Sequence, residues 1–339
     1  MRFTWLCAPA LARRWSFGLV ALVACGSGGN NFSDGGSDGA SDGGSQSDSP
    51  FGNDSSTGFD GAITPDGSTG GKTLLYAHSN TTLYQLDPQN LQSALVTVGD
   101  FDCIGGAGEP TSMTDVAVDK SGNLYAVSQV AAYPLTIQGN VVHCAATWKL
   151  PAANVFYGLT FAPENTVNAA ETLVAADSGG IIWSIDSQGN TTQLGNFGKD
   201  TKGNTYQLSG DIVFLANNGT PVGFATVRTC PQNQCATTDT LVEIDVTKLK
   251  ANNTTSVVKS VRGVLHQGSS CQNTTAPPSF GKMYGIAAYQ DQVYGFSHDT
   301  GIVAINNVDA SACLVSVPSG VSFSGAGVTT MAPIIAPPN

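Results

Sequence analysis

Glutamate is scarce in this chain: Glu109, Glu164, Glu171 and Glu243 are all there are in 339 residues. A glycoside hydrolase needs a carboxyl pair held at different pKa values. No glutamate falls on the strands assigned below to a central axis; Glu109 alone sits in a loop leading to them. Histidine is equally sparse. His78, His143, His266 and His298 stand in four segments, and only His143 adjoins a cysteine. Zinc sites favour clustered Cys and His, so none is expected. Basic residues number 14 against 25 acidic, for a formal net charge of −11. Nucleic acid requires Lys/Arg patches, and electrostatic docking on anionic lipid requires them too, so both are disfavoured. No stretch holds the 3.6-residue period of an amphipathic helix. A Gly-x-Ser-x-Gly elbow is missing. Gly105-Gly106-Ala107-Gly108 lacks the strand–helix context of a phosphate loop.

The N-terminus carries an export signal. Arg2, Arg13 and Arg14 flank an apolar core, Trp15 to Ala24. That core is too short to span a bilayer, which takes ~20 apolar residues, and suits a secretory h-region. Arg13-Arg14 precede Trp15, Ser16 and Phe17, which fit a twin-arginine pattern poorly. Leu22-Val23-Ala24-Cys25 resembles the lipobox of bacterial lipoproteins. The resemblance implies cleavage before Cys25, diacylglycerol on its thiol and acylation of the new amino group. Gly26, where inner-membrane lipoproteins carry Asp, implies the outer membrane, on its periplasmic or its outer side. Several acyl chains together would hold the protein firmly.

Residues 1–24 are therefore read as signal peptide. Residues 25–72 form a second region of Gly, Ser and Asp in which Phe32, Phe51, Phe59 and Ile63 are isolated. Such a composition cannot offset its ordering entropy, and a self-repelling tether is expected. Its spaced aspartates lack the glycines of a calcium-binding nonapeptide repeat.

Residues 73–339 read as all-β: short alternating runs of Val, Ile, Leu, Tyr and Thr, with Gly/Asn/Asp turns between them. One hairpin recurs five times and ends on Leu86-Asp87, Ile137-Gln138, Ile185-Asp186, Ile244-Asp245 and Ile305-Asn306. A short polar side chain there bonds its own backbone two residues on and starts the next turn. A second element, Asp or Gly followed by apolar, small and apolar residues, begins at Asp115, Gly158, Asp211, Gly285 and Gly327. Together they give four strands per unit, the pattern of β-propeller blades. The chain enters on a hairpin and leaves on an inner strand, Gly327 to Pro333. The expectation is a five-bladed propeller closed by pairing that last strand into the first blade. A sixth blade would have to lie between Asp211 and Gly285, where insertions around Cys230 and Cys271 are the favoured account.

Six cysteines follow Cys25. In an exported chain they imply disulfides, and sequence alone allows fifteen connectivities. The repeat narrows them. Cys103 and Cys271 each precede an inner strand, and Cys144 and Cys313 each lie on the next outer strand. The expected pairs are Cys103–Cys144, Cys271–Cys313 and the short loop Cys230–Cys235.

Propeller ligands commonly sit where inner strands begin. Asp115, Tyr157, Asp211 and Tyr284 are the candidate ligand-binding residues, able to hold a cation or a sugar. The plainer reading is that Gly lets the backbones converge and Asp satisfies their amides. His298-Asp299 reads as a solvated turn.

Met113 to Asp119 with Gly122-Asn123-Leu124-Tyr125, Ser209 to Val213, Tyr284 to Ala287 with Val293 to Ser297, and Ser322 to Thr330 resemble a group of bacterial propeller lipoproteins of unknown function. The likeness covers about residues 73–335. The domain is also loosely similar to lactonase-type and sugar-hydrolysing propellers, whose catalytic carboxylate and Asn sets it does not match. The expected protein is a monomeric, lipid-anchored envelope propeller without cofactor. It would bind a protein or glycan and catalyse nothing. The alternative is a hydrolase or lactonase with a cation in the central channel.

Overall fold

The computed structural model describes residues 73–91, 95–217, 220–231, 234–272, 276–290 and 292–333. The signal segment, Cys25, Gly26 and the tether lie outside the described residues. Apart from short 3-10 turns such as Val246–Lys248, the regular elements among the described residues are strands.

Two antiparallel meanders come first. One is β1 (Leu75–His78), β2 (Thr82–Leu86) and β3 (Val96–Phe101). The other is β4 (Met113–Val118), β5 (Leu124–Ser128), β6 (Ala131–Gln138) and β7 (Val141–Cys144), with β8 (Trp148–Lys149) beside the start of β6. Their outer edges join, because β3 pairs in parallel with β7 at Asp100↔Val141 and Phe101↔Val142. Next comes a four-stranded sheet of β9 (Phe156–Ala162), β10 (Thr172–Asp177), β11 (Ile181–Ile185) and β12 (Thr191–Asn196). A second contains β13 (Tyr206–Asn217), β14 (Thr220–Thr229), β15 (Thr240–Ile244) and β16 (Val258–Val264). A five-stranded sheet holds β17 (His266–Gln267), β18 (Met283–Tyr289), β19 (Gln292–Ser297), β20 (Gly301–Asn306) and β21 (Ser311–Ser316). Last, β22 (Gly325–Gly327) returns to β1, with Tyr76↔Gly327, Ala77↔Ala326 and His78↔Gly325.

This all-β plan of repeated meanders is consistent with a propeller. Hydrophobic clusters lie between successive sheets. Leu83, Val98 and Phe101 meet Met113 and Val116; Val127 and Ala132 meet Phe156 and Leu173. Phe197 and Ile182 meet Leu208 and Phe214, and Leu75 and Phe323 meet Met283 and Phe296. The alternation of each strand supplies one face to each cluster, so a sheet buried on both faces reads as runs of apolar residues. The first strands of the meanders are neighbours in turn: β4 lies beside β9, β9 beside β13, β13 beside β18, β18 beside β22, and β22 beside β4.

The closing strand differs from expectation in its limits. Pairing with β1 covers Gly325–Gly327, not Gly327 to Pro333. β1 has only four residues, and three are already paired to β22. Beyond Gly327 the chain instead meets the far ends of the neighbouring strands. Thr329 bridges to Val118, the Thr330 carbonyl accepts from the Ala216 amide at 2.9 Å, and the Pro333 carbonyl accepts from Gln290 at 2.5 Å.

Three disulfides join Cys103 to Cys144, Cys230 to Cys235 and Cys271 to Cys313. Asp102, Cys103 and Cys144 lie close enough to suggest a metal cluster, but both sulfurs are spent on the disulfide.

Candidate functional site

Where the inner strands begin, two aspartates are fully buried. Asp115 on β4 reaches two neighbouring strands: its Oδ2 accepts from the Leu159 amide of β9 at 2.5 Å and its Oδ1 from Ala326 of β22 at 3.0 Å. Asp211 on β13 accepts from its own neighbour Ile212 at 2.6 Å and from Ile286 of β18 at 2.7 Å. The two carboxyls also hydrogen-bond to one another, and burial pushes both above the usual carboxylate range. Two carboxylates in contact cannot both be ionised cheaply, so the pair retains a proton.

His78 completes this layer. Its Nδ1 donates to the Ser79 carbonyl at 2.6 Å, while Nε2 has no hydrogen-bond partner and stands 4.0 Å from Asp115 Oδ1. Burial lowers its pKa to about 4, so the ring is neutral. The strands come this close because position 325 is glycine. A Cβ there would lie 2.2 Å from His78 Nε2 and 2.3 Å from Asp115 Oδ1.

Above this layer opens a cavity of about 340 Å³. β4, β9, β13 and β18 contribute Thr114, Tyr157, Ser209 and Tyr284, and Ser324 just before β22 adds another hydroxyl. Turn residues Asn80, Gln129, Ser178 and His298 form the rim, and Arg228 near the end of β14 enters from one side. No Asp, Glu or Lys is among the residues that line it. The Tyr284 and His298 rings pack at 5.4 Å between centroids, and His298 Nδ1 lies 2.7 Å from Asp299. Tyr157 is 38% exposed.

Asp239, just before β15, lies behind this wall. It accepts from the Ser209 hydroxyl at 2.5 Å and from the Met283 amide at 2.7 Å. Burial raises its pKa to about 6, against the pull of these bonds and of the Arg228 charge.

The four candidates from sequence thus separate into two layers. Tyr157 and Tyr284 line the cavity. Asp115 and Asp211 lie beneath it, with no solvent exposure and with oxygens committed to backbone amides. Those amides present donors to any cation, which needs acceptors alone. Glu109 lies outside the lining residues and accepts from the Gly106 amide at 3.0 Å. Arg228, Ser178 and Gln129 were not singled out from sequence, because no motif surrounds them. The one available signal was rarity: after Arg14 the chain has two arginines, Arg228 and Arg262.

No protein-family model matches the chain, and no curated protein matches it in sequence. Among solved structures it is similar to a protein of unknown function from Bacteroides caccae, with 10% identity, 76% of this chain and 98% of that one covered, and a TM-score of 0.41. A protein of unknown function from Bacteroides thetaiotaomicron gives 13% identity over 72% and 56% of the two chains, with a TM-score of 0.36. The Dos1 propeller gives 13% identity over 71% and 57%, with a TM-score of 0.33. At such scores the likenesses carry no argument about activity, and this chain spans just over half the length of the last two.

Proposed function

We propose that the protein is a lipid-anchored cell-envelope β-propeller of five blades that binds a polar ligand at the mouth of its axis without turning it over. The observation that carries this reading is the cavity itself. It lies toward the starts of the inner strands, is lined by hydroxyls, amides, two tyrosines, Arg228 and His298, and includes no carboxylate. A saccharide or a polar protein loop suits such a wall. Glycoside hydrolysis needs a carboxyl pair within reach of the scissile bond; Asp115 and Asp211 are buried and engaged with amides, and Asp299, outside the lining, is held by His298 and Lys282. The cyclic order of β22, β4, β9, β13 and β18 supports five blades. Lipid attachment rests on Leu22-Val23-Ala24-Cys25 and outer-membrane placement on Gly26.

The full chain should be compared with Cys25→Ser and Tyr157→Ala variants, using palmitate labelling and arrayed saccharides with product analysis. Cys25→Ser should lose the label, and Tyr157→Ala should lose binding without any product forming in either protein. Unchanged labelling would remove the anchor, and saccharide cleavage would replace the binding module with an enzyme.

A further inference from the structure

We infer that the ligand of this cavity is a saccharide carrying a carboxylate, a uronate, recognised through Arg228. The inference rests on the binding reading above and names its ligand class.

Of the two arginines among the described residues, Arg228 is the one that lines the cavity and has no carboxylate in ion-pair range, although the Nε of each is buried without a hydrogen-bond partner. Arg262 Nη2 lies 2.5 Å from Glu243, which also holds Lys259 at 2.8 Å. Lys282 reaches Asp299 at 2.5 Å. Among the described residues no carboxylate comes within ion-pair distance of Arg228, and its buried Nε has no hydrogen-bond partner. This occurs in a chain whose acidic residues outnumber its basic ones by 25 to 14. The Arg228 charge acts on the carboxyl of Asp239, whose oxygens are already held by the Ser209 hydroxyl and the Met283 amide.

The side chain is well placed to act as a receptor. β14 pairs with β13 at Gln207↔Arg228, and the Cys230–Cys235 disulfide begins two residues later. The Ala236 amide donates back to the Thr229 carbonyl at 2.9 Å, pinning the strand end. Tyr157 of β9 and Tyr284 of β18 come from the strands on either side of β13, and both line the cavity with Arg228.

The guanidinium fork matches a carboxylate with two parallel hydrogen bonds. Aromatic faces and scattered hydroxyl and amide groups suit the apolar faces and hydroxyls of a sugar ring. A phosphate is the poorer match. Its second negative charge would find no other Lys or Arg in the lining, inside an acidic protein whose field opposes it.

Titration calorimetry on the full chain with D-glucuronate, D-galacturonate, D-glucose, D-galactose and acetate tests this. The uronates should bind at least tenfold more tightly than the neutral sugars and acetate. Arg228→Gln should weaken the uronates at least tenfold and leave the neutral sugars unchanged, with Arg228→Lys between. Tyr157→Ala should weaken every sugar. Melting curves must first show each variant folded, and Arg228→Lys serves if Arg228→Gln is not. Equal binding of neutral sugars and uronates, or indifference to Arg228→Gln, overturns the carboxylate while leaving the binding module. Acetate binding as tightly as uronate overturns the saccharide. Absence of binding by all five probes at millimolar concentration overturns both this inference and the reading beneath it.

Discussion

Two aspartates at the axis hold together strands that no ladder joins. Neighbouring inner strands pack side by side without pairing, so amides such as Leu159, Ala326 and Ile286 would be buried donors without acceptors. Asp115 and Asp211 supply the acceptors. Because burial raises both carboxyls, the folded state binds a proton that the unfolded chain releases. Stability from the pair is complete below the ordinary carboxylate value of 3.8 and is lost as pH rises through the raised values. His78 works in the opposite sense between its folded value of about 4 and its ordinary value of 6.5, and Asp239 adds to the downward slope only up to about 6. Above pH 6.5 the pair therefore stands alone among these four groups. Unfolding free energy should fall with pH there, by up to about 1.4 kcal/mol per pH unit for one proton. Asp211→Asn should flatten that slope even though it lowers stability overall. Denaturant titrations across the range check this, and a slope unchanged in the variant would refute the shared proton. The chemistry of these positions was only half legible in the sequence. The recurrence of Asp or Gly at the strand starts marked the axis, but depth was not marked. An aspartate bonding amides and one facing a ligand carry the same letter.

At the scale of elements the sequence was most explicit where local chemistry decides. Four of the five hairpin endings start their turns as side-chain bonding predicts. Asp87 accepts from Gln89, Asp186 from Gln188, Asp245 from Thr247 and Asn306 from Val308, at 3.0, 2.9, 3.2 and 2.8 Å. Gln138, one carbon longer, has no such bond among those the structure describes, and Gly139 with φ of 63° carries that turn instead. What stayed hidden was long-range. The β3–β7 junction depends on Gly99, where a Cβ would lie 2.2 Å from the Asn140 carbonyl; a glycine within an alternating strand does not announce its neighbour. The disulfides were legible because the repeat supplied two matched spacings. Cys271–Cys313 closes 42 residues and ties the β17–β18 connection to β21. Chain-entropy reasoning assigns such a loop about 4 kcal/mol through the unfolded state, less any cost in the native one. The Cys271→Ser/Cys313→Ser double variant should therefore unfold at markedly lower denaturant, with little change at Cys103–Cys144. An unchanged midpoint would mean that the unfolded chain is already constrained there.

At the scale of the whole molecule, the last strand returns to the first. β22 adds only three residues to β1, yet the segment around it does more than complete a sheet. Phe323 is fully buried against Phe296, the Ala326 amide donates to Asp115, and the Thr329 hydroxyl donates to the Asp119 carbonyl at 2.8 Å. The Thr330 and Pro333 carbonyls then take up the amides of Ala216 and Gln290, at the ends of β13 and β18. Deleting Ser322 to Asn339 removes the acceptors and donors of several strands at once and leaves β1 as an unpaired edge, open to association with other chains. The product should be insoluble, or should melt far below the parent and expose apolar surface. Residues 27–70 have no comparable store of core-forming side chains in their Gly, Ser and Asp composition. Their deletion should leave the melting temperature nearly unchanged. Calorimetry of the two truncations side by side separates a ring closed by its C-terminus from an array of sheets that merely follow one another. If both truncations melt like the parent, the closing strand is dispensable and the five-bladed ring must be abandoned.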